Sequence, residues 1–520
     1  MINFTLNNIF INAQLNEDKV AIIFDEKEYS YKRIFEDVGN VSFNLLKKGV
    51  KKRDIIIINL GNCYETVVFF WAILNIGAIP SIVQYDCSCE NFDSILRNSQ
   101  TNFIIINHKF YNKFQCSHIF KTHNIKHIYT DLELQDNRSS NVQSLLMKKS
   151  SSFESPLVCS SIIGEDPASI IYTSGSTGSP KGIVMTHNNM INSIYSLHSY
   201  LRYKKDDIII VPLPISFDYG LYQMLLSFYV KGTLVIQKEN SLASMTLKNI
   251  EKYNCTILPG ISSLYSMLYQ FFKRGSFDLK SVRLISNTGM PFERKHLNIS
   301  KEMFPDASIF SMYGLSECKR CTYIPPNRLE EKIDSVGIAI PNLEIGIFDE
   351  KDQPCESGKI GEIVIRSSTV MQGYLNNLDA TSKRLKSHPL YGDKSLYSGD
   401  YGWIDSEGFL YLAGRQDEIF KIRGKKIILR EIEKVILSFD EVMECVVIVC
   451  NKTMINELVI VAYLVVEDKN ISVDYIRKAM SQKLERHKLP ESIIFLRNIP
   501  KTANGKLDRN KLQRLYENAQ

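Results

Sequence analysis

From residue 19 onward this chain alternates short, almost wholly apolar runs with longer stretches of helical spacing, and that alternation limits what it can fold into. Residues 20–24 are such a run, and 30–49 follow with Tyr31, Ile34, Phe35, Val38, Val41, Leu45 and Leu46 at helical intervals. An Ile-rich run at 54–60 leads into a helical stretch at 64–76, and further apolar runs return at 103–106, 169–173, 208–212, 232–236, 255–258 and 282–287. A strand covered on both faces has no polar side to show, so this texture predicts an α/β protein with mostly buried sheets.

At 520 residues the chain exceeds what one hydrophobic core usually supports, and two or more domains are expected. The texture changes around Gly414. Short strands with glycine punctuation (361–366 and 408–412) precede it; a helix at 431–439, strands at 442–450 and 457–465, a helix at 473–484 and a strand at 492–495 follow. A boundary at 415–417 is expected, with a large domain at 1–415 and a small α+β domain at 416–520. The polar, Ser-rich stretch 132–164 predicts a connecting loop.

Charge and composition exclude several classes. Lys and Arg total 63 against 57 Asp and Glu, and a net charge of +6 over this length is too mild for a nucleic-acid binder. The most apolar stretch, 67–83, is interrupted by Asn75, Gly77 and Pro80, so it reads as a buried helix running into a strand and not as a membrane span. Residues 1–15 carry no basic segment ahead of their apolar residues, and the cytoplasm is the default expectation. The 11 cysteines are scattered; Cys318 and Cys321 form a C-K-R-C with no second pair at zinc-like spacing, which favours reduced thiols over a metal site.

The chemistry concentrates at Tyr172-Thr-Ser-Gly-Ser-Thr-Gly-Ser-Pro-Lys181-Gly182, directly after a strand-like run. Gly175, Gly178 and Gly182 let a backbone approach phosphate, Ser174, Ser176 and Thr177 supply hydroxyls, and Lys181 adds positive charge. The Gly-Lys-[Ser/Thr] of a Walker loop is absent. This run resembles the phosphate loop of the adenylate-forming superfamily of acyl-CoA synthetases, nonribosomal-peptide adenylation domains and luciferases. Other motifs of that superfamily follow in order: Tyr313-Gly314-Leu-Ser316-Glu317, with Ser316 for the usual Thr; Gly361-Glu362 and Gly373-Tyr374; Tyr397-Ser-Gly-Asp400; Gly414-Arg415-Gln-Asp417; and Pro500-Lys-Thr-Ala-Asn-Gly-Lys506.

The resemblance implies a large N-terminal domain of stacked α/β sheets with a small β-barrel-like part, and a small mobile α+β C-terminal domain that carries the catalytic lysine. It implies ATP and Mg²⁺ as cofactors, and conversion of a small acid to an acyl-AMP before transfer to a thiol. Catalysis falls by resemblance to Lys506, Thr177 and Glu317, with Glu317 as the Mg²⁺ ligand. The nucleotide would be held by Thr173, Ser174, Gly175, Ser176, Thr177, Gly178, Lys181, Tyr313, Gly314, Ser316, Asp400 and Arg415. Asp417 resembles the hinge about which the small domain turns. The basic residues Lys421, Arg423, Lys425, Lys426 and Arg430 could receive a carrier protein or CoA phosphates, or form a solvated face.

Phe217-Asp218-Tyr219-Gly220 stands where amino-acid adenylation domains carry F-D-x-S, whose aspartate pairs with the substrate ammonium; Gly220 departs from that pattern. A buried carboxylate without a partner is costly, so an amino acid is the natural complement. The wording from Ser216 to Gln223 resembles standalone prolyl–carrier-protein ligases, which makes L-proline the first candidate. By resemblance the pocket also draws on Tyr222, Thr288, Gly289, Met312 and Cys321. If Arg320 points inward, it favours a different acid, and an acyl- or aryl-CoA synthetase is the alternative. Only fourteen residues follow Lys506, so a standalone enzyme acting on a separate phosphopantetheine-bearing carrier protein, or on CoA, is expected.

Overall fold

The structure, a computed structural model, describes residues 4–13, 18–115, 122–123, 125–131, 139–142, 161–174, 179–416, 419–422, 425–439, 441–452, 457–466, 471–500 and 508–519. The chain divides into two compact units, the first comprising residues 1–346, 364–397 and 408–410, the second 347–363, 398–407 and 411–520. All of 416–520 lies in the second unit, which also takes in two earlier segments.

Two large sheets organise the first unit. The nine-stranded one runs Ile338–Ala339, Thr322–Ile324, Ser308–Tyr313, Leu284–Asn287, Ile257–Gly260, Ile208–Val211, Thr233–Ile236, Val20–Phe24 and Lys27–Ser30, parallel through its middle and antiparallel at both edges. The five-stranded one is parallel throughout, in the order Ile79–Ile82, Ile55–Asn59, Phe103–Ile106, His127–Thr130 and Ser139–Asn141. Its last strand falls inside the stretch expected as a loop, most of which lies outside the described residues.

One apolar cluster takes side chains from both sheets and from the helices Leu6–Ala13, Tyr31–Lys47, Tyr64–Asn75, His187–Leu201 and Asp218–Val230. In Tyr64–Asn75 every residue from Val67 to Leu74 is buried, the pattern of a helix with protein on all sides. The expected buried helix continues into the strand Ile79–Ile82. Among the described residues, no helix is long and apolar enough to cross a membrane.

In the second unit, Val442–Lys452 pairs antiparallel with Glu457–Val466, which pairs parallel with Ser492–Phe495. Alternate residues divide between two cores. Cys445, Val447, Val449, Ile460, Ala462 and Leu464 pack with the helices Leu429–Ile436 and Val473–Ser481, while Val446, Ile448, Cys450, Val459, Val461 and Tyr463 pack with Leu512 and Tyr516 of Arg509–Ala519. Period-two side chains with both faces covered explain why these strands read as unbroken apolar runs.

Candidate functional site

The strands on either side of the hydroxyl-rich run pair with each other. Pro167–Ser174 runs antiparallel to Pro180–Thr186, with Thr173 opposite Lys181 and Tyr172 opposite Gly182. A Cβ at Gly182 would lie 3.0 Å from the Tyr172 ring and 3.1 Å from Ile170, so glycine keeps this crossing close. Gly175, Ser176, Thr177 and Gly178 lie outside the described residues, as do Asp417, Lys506, Arg423 and the side chains of Ser174, Lys421 and Lys426.

Lys181 and Glu317, far apart in sequence, meet on either side of Tyr374. The Lys181 Nζ lies 5.6 Å from the centroid of the Tyr374 ring, and the Tyr374 hydroxyl donates to Glu317 Oε1 at 2.7 Å. The Met371 amide donates to the Glu317 carbonyl at 2.7 Å, which fixes this segment against the turn. Burial, reinforced by the Glu317 charge, pushes the Tyr374 hydroxyl well above its usual pKa, so it stays protonated as a donor.

Tyr313 ends the strand Ser308–Tyr313 half-buried, and the chain then turns back to start Thr322–Ile324. The turn is tight: the Cys321 amide donates to the Tyr313 carbonyl at 2.8 Å, and a Cβ at Gly314 would lie 1.9 Å from the Lys319 carbonyl oxygen. Ser316 is half-buried within it. In the second unit, Arg415 Nε stands 3.3 Å from Asp400 Oδ1, and the Asp400 amide donates to Ser398 Oγ at 3.0 Å. The residues expected at the ribose and at the domain boundary are therefore neighbours.

A narrow cavity opens in the first unit between the helices His187–Leu201 and Asp218–Val230 and the 313–321 turn. It is lined by Leu197, Leu201, Asp218, Tyr219, Tyr222, Gln223, Met312, Lys319 and Arg320. Of the residues expected to hold the acid, Asp218, Tyr222 and Met312 line it. Phe217 instead caps the helix start and is 40% exposed, Thr288 and Gly289 belong to a turn after Leu284–Asn287, and the buried Cys321 faces Cys318 with 3.2 Å between sulfurs. No group of three or more metal-ligating side chains occurs among the described residues.

The electrostatics of this cavity depart from the expectation of an unpartnered carboxylate. Arg320 points inward, with Nη1 3.7 Å from Asp218 Oδ2 and the guanidinium 4.7 Å over the Tyr219 ring. Its Nη1 also donates to the Lys319 carbonyl at 2.9 Å, while Nε has no hydrogen-bond partner among the described residues. Lys319, 1% exposed, turns its ammonium towards the Tyr222 ring at 5.5 Å, and Nζ has no hydrogen-bond partner among the described residues. Burial pulls the Lys319 ammonium down to about 8, with Asp218 acting in the opposite sense. Lys319, Leu197, Leu201, Tyr219 and Gln223 were not among the expected residues. The one signal in the sequence was two cations between buried-type cysteines in C-K-R-C, where a solvated turn would not need the cysteines.

Fold and site together define a class: two-unit α/β proteins with a hydroxyl-rich run after one strand and a glutamate placed by the end of another. A family model described as AMP-binding enzyme matches residues 9–375, and the AMP-binding enzyme C-terminal domain matches 431–506. The chain belongs to the AMP-binding enzyme family, and its reaction class is ATP-dependent adenylation of a carboxylic acid. It is 26% identical over 517 residues to a dimodular nonribosomal peptide synthase of Bacillus subtilis (strain 168), covering 96% of this chain and 21% of that protein. It is also 23% identical over 518 residues to 4-coumarate-CoA ligase 1 of Narcissus pseudonarcissus, covering 97% of this chain and 92% of the ligase. The chain thus spans about a fifth of the former and nearly all of the latter.

Among solved structures, ATP-bound MatB from Rhodopseudomonas palustris superposes with a TM-score of 0.86 at 21% identity, with 99% of each chain covered. O-succinylbenzoate CoA synthetase (MenE) from Bacillus subtilis, in complex with ATP and magnesium ion, superposes with a TM-score of 0.81 at 24% identity, covering 97% of this chain and 99% of that one. The fold is therefore the expected one: a large N-terminal domain of several sheets with a half-barrel, followed by a small α+β domain.

Proposed function

We propose that this enzyme joins a small carboxylic acid to AMP and then hands the acyl group to the thiol of CoA or of a phosphopantetheine-bearing carrier protein. In the first step a carboxylate oxygen attacks the α-phosphorus of ATP and the bond to pyrophosphate breaks. In the second a thiolate attacks the acyl carbonyl and AMP departs. The run from Thr173 to Gly178, with Lys181, would cradle the phosphates, Tyr313 would cover the adenine, and Asp400 with Arg415 would hold the ribose side.

Glu317 suits Mg²⁺, a hard cation that takes one or two carboxylates and completes its shell with phosphate and water; bound there, the ion would offset phosphate charge. Tyr374, by donating to Oε1, orients that carboxylate. Lys506 would neutralise the attacking carboxylate and the bridging oxygen, at the stage where two anions must meet. Asp417 would act as the hinge that withdraws it before the thiol arrives.

Two readings of the acid compete. The amino-acid reading, with L-proline first and a carrier protein as acceptor, draws on Asp218 and on relatives such as the dimodular synthase. The reading as an acyl-CoA synthetase is supported by one observation: Arg320 stands 3.7 Å from Asp218 and already supplies the cation that a substrate ammonium would bring. An acid without a required ammonium is the reading we adopt. ATP–pyrophosphate exchange across amino acids and plain carboxylic acids tests it, and exchange confined to amino acids would sink it.

A further inference from the structure

We infer that Lys319 and Arg320 form an anion-receiving end of the acid pocket, so that the acid activated here carries a second, singly charged anionic group such as a carboxylate or sulfonate. This rests on the adenylation reading and on the acid occupying the cavity beside Asp218. The charge count within the cavity carries it: two cationic side chains, Lys319 and Arg320, face one carboxylate, Asp218. The Arg320 guanidinium offers its N–H donors in a fixed fork, and the Lys319 amine donates hydrogen bonds in either protonation state.

Asp218 satisfies at most one of the two cations. Lys319 is 1% exposed and Arg320 6% exposed, and among the described residues neither the Lys319 Nζ nor the Arg320 Nε finds a hydrogen-bond partner. Lysine and arginine are almost never buried to this degree unless something pairs with them. The aromatic faces of Tyr222 and Tyr219 offer cation–π contact but leave the hydrogen-bond donors unmet.

The backbone is arranged to keep both side chains inside. Lys319 adopts a left-handed φ of 70°, uncommon for a long side chain, and the crossing of Gly314 against its carbonyl leaves no room for a Cβ. A turn that only closed a hairpin would leave these two residues in water. A bound anion supplies the missing negative charge and the missing acceptors at once. The planar, fork-like donor set of arginine suits a carboxylate or sulfonate in particular.

The test is ATP–pyrophosphate exchange by the full chain with matched acids: succinate and 3-sulfopropanoate against butanoate, with L-proline alongside. The doubly anionic acids are expected to exceed butanoate by at least about tenfold in kcat/KM, and Lys319→Met or Arg320→Met to lower the succinate-to-butanoate ratio by a similar factor. Arg320→Lys, which keeps the charge, is expected to retain most of the preference; melting curves verify that each variant folds, and this variant decides the matter if Arg320→Met does not. Butanoate or L-proline turning over as fast as either doubly anionic acid would overturn the inference. So would a ratio that survives in both Met variants. Silence towards every acid would undo the adenylation reading itself, and this inference with it.

Discussion

At the scale of single residues, Glu239 shows how burial converts into pH dependence. Burial, with a smaller push from Asp86, raises its carboxyl from 4.5 to about 7. The folded state therefore holds the proton more tightly than the unfolded one. The associated stability is complete below pH 4.5 and is lost as pH rises through about 7. Glu239→Gln removes the charge that must be buried above that range. The variant is expected to be more stable than the parent by about 2–3 kcal/mol at pH 8 and equal to it near pH 4, as read by denaturant unfolding at both values.

The residue scale is also where the sequence was least informative about the acid. Asp218 was legible as a pocket carboxylate from its place after Phe217. That Arg320 would face it, with Lys319 alongside, was not, because the orientation of a side chain in a turn has no periodicity to read.

Among elements, the helix Asp218–Val230 explains the departure at Gly220 from the F-D-x-S pattern. A Cβ there would lie 2.3 Å from the Pro214 carbonyl oxygen, so serine does not fit this approach of backbone to helix. Gly220→Ser is expected to cost about 2 kcal/mol in thermal unfolding and to impair turnover by displacing the start of the helix and Asp218 with it. The facing helix His187–Leu201 begins with a capping box in which Thr186 Oγ1 accepts from the Asn189 amide at 3.1 Å and Asn189 Oδ1 accepts from the Thr186 amide at 3.0 Å. Thr186→Ala is expected to lower stability by about 1 kcal/mol, measurable as a shift in the denaturation midpoint without a change in slope.

Most elements were legible because each buries a definite face. The runs at 20–24, 103–106 and 492–495 are strands with the expected ends, and the helical spacing at 30–49 became Tyr31–Lys47. The strand Ser139–Asn141 was not legible, since a short, polar edge strand has no apolar pattern to announce it.

For the whole molecule, the proposed division of labour assigns adenylation to a lysine in the second unit and acid binding to a cavity in the first. Lys506→Ala is expected to reduce pyrophosphate exchange by orders of magnitude while leaving thiol transfer from a preformed acyl-AMP largely intact. Comparable loss in both half-reactions, measured separately, would contradict that division. The expected boundary at 415–417 marks a change of texture along the chain. The compact units, in contrast, are defined by packing, and segments 347–363 and 398–407 group with the C-terminal part although they precede it.

What the sequence alone determined was the order of buried strands and helices and the ordered motifs of an adenylating enzyme, because apolar runs and phosphate-contacting residue types are local properties. What only the tertiary structure decided was the company each charged group keeps. Lys181 and Glu317 meet across Tyr374, and Lys319 and Arg320 enter the cavity with Asp218, because strand pairing and a tight turn bring distant segments together. Charge balance in a cavity depends on distance in space, and distance along the chain does not report it.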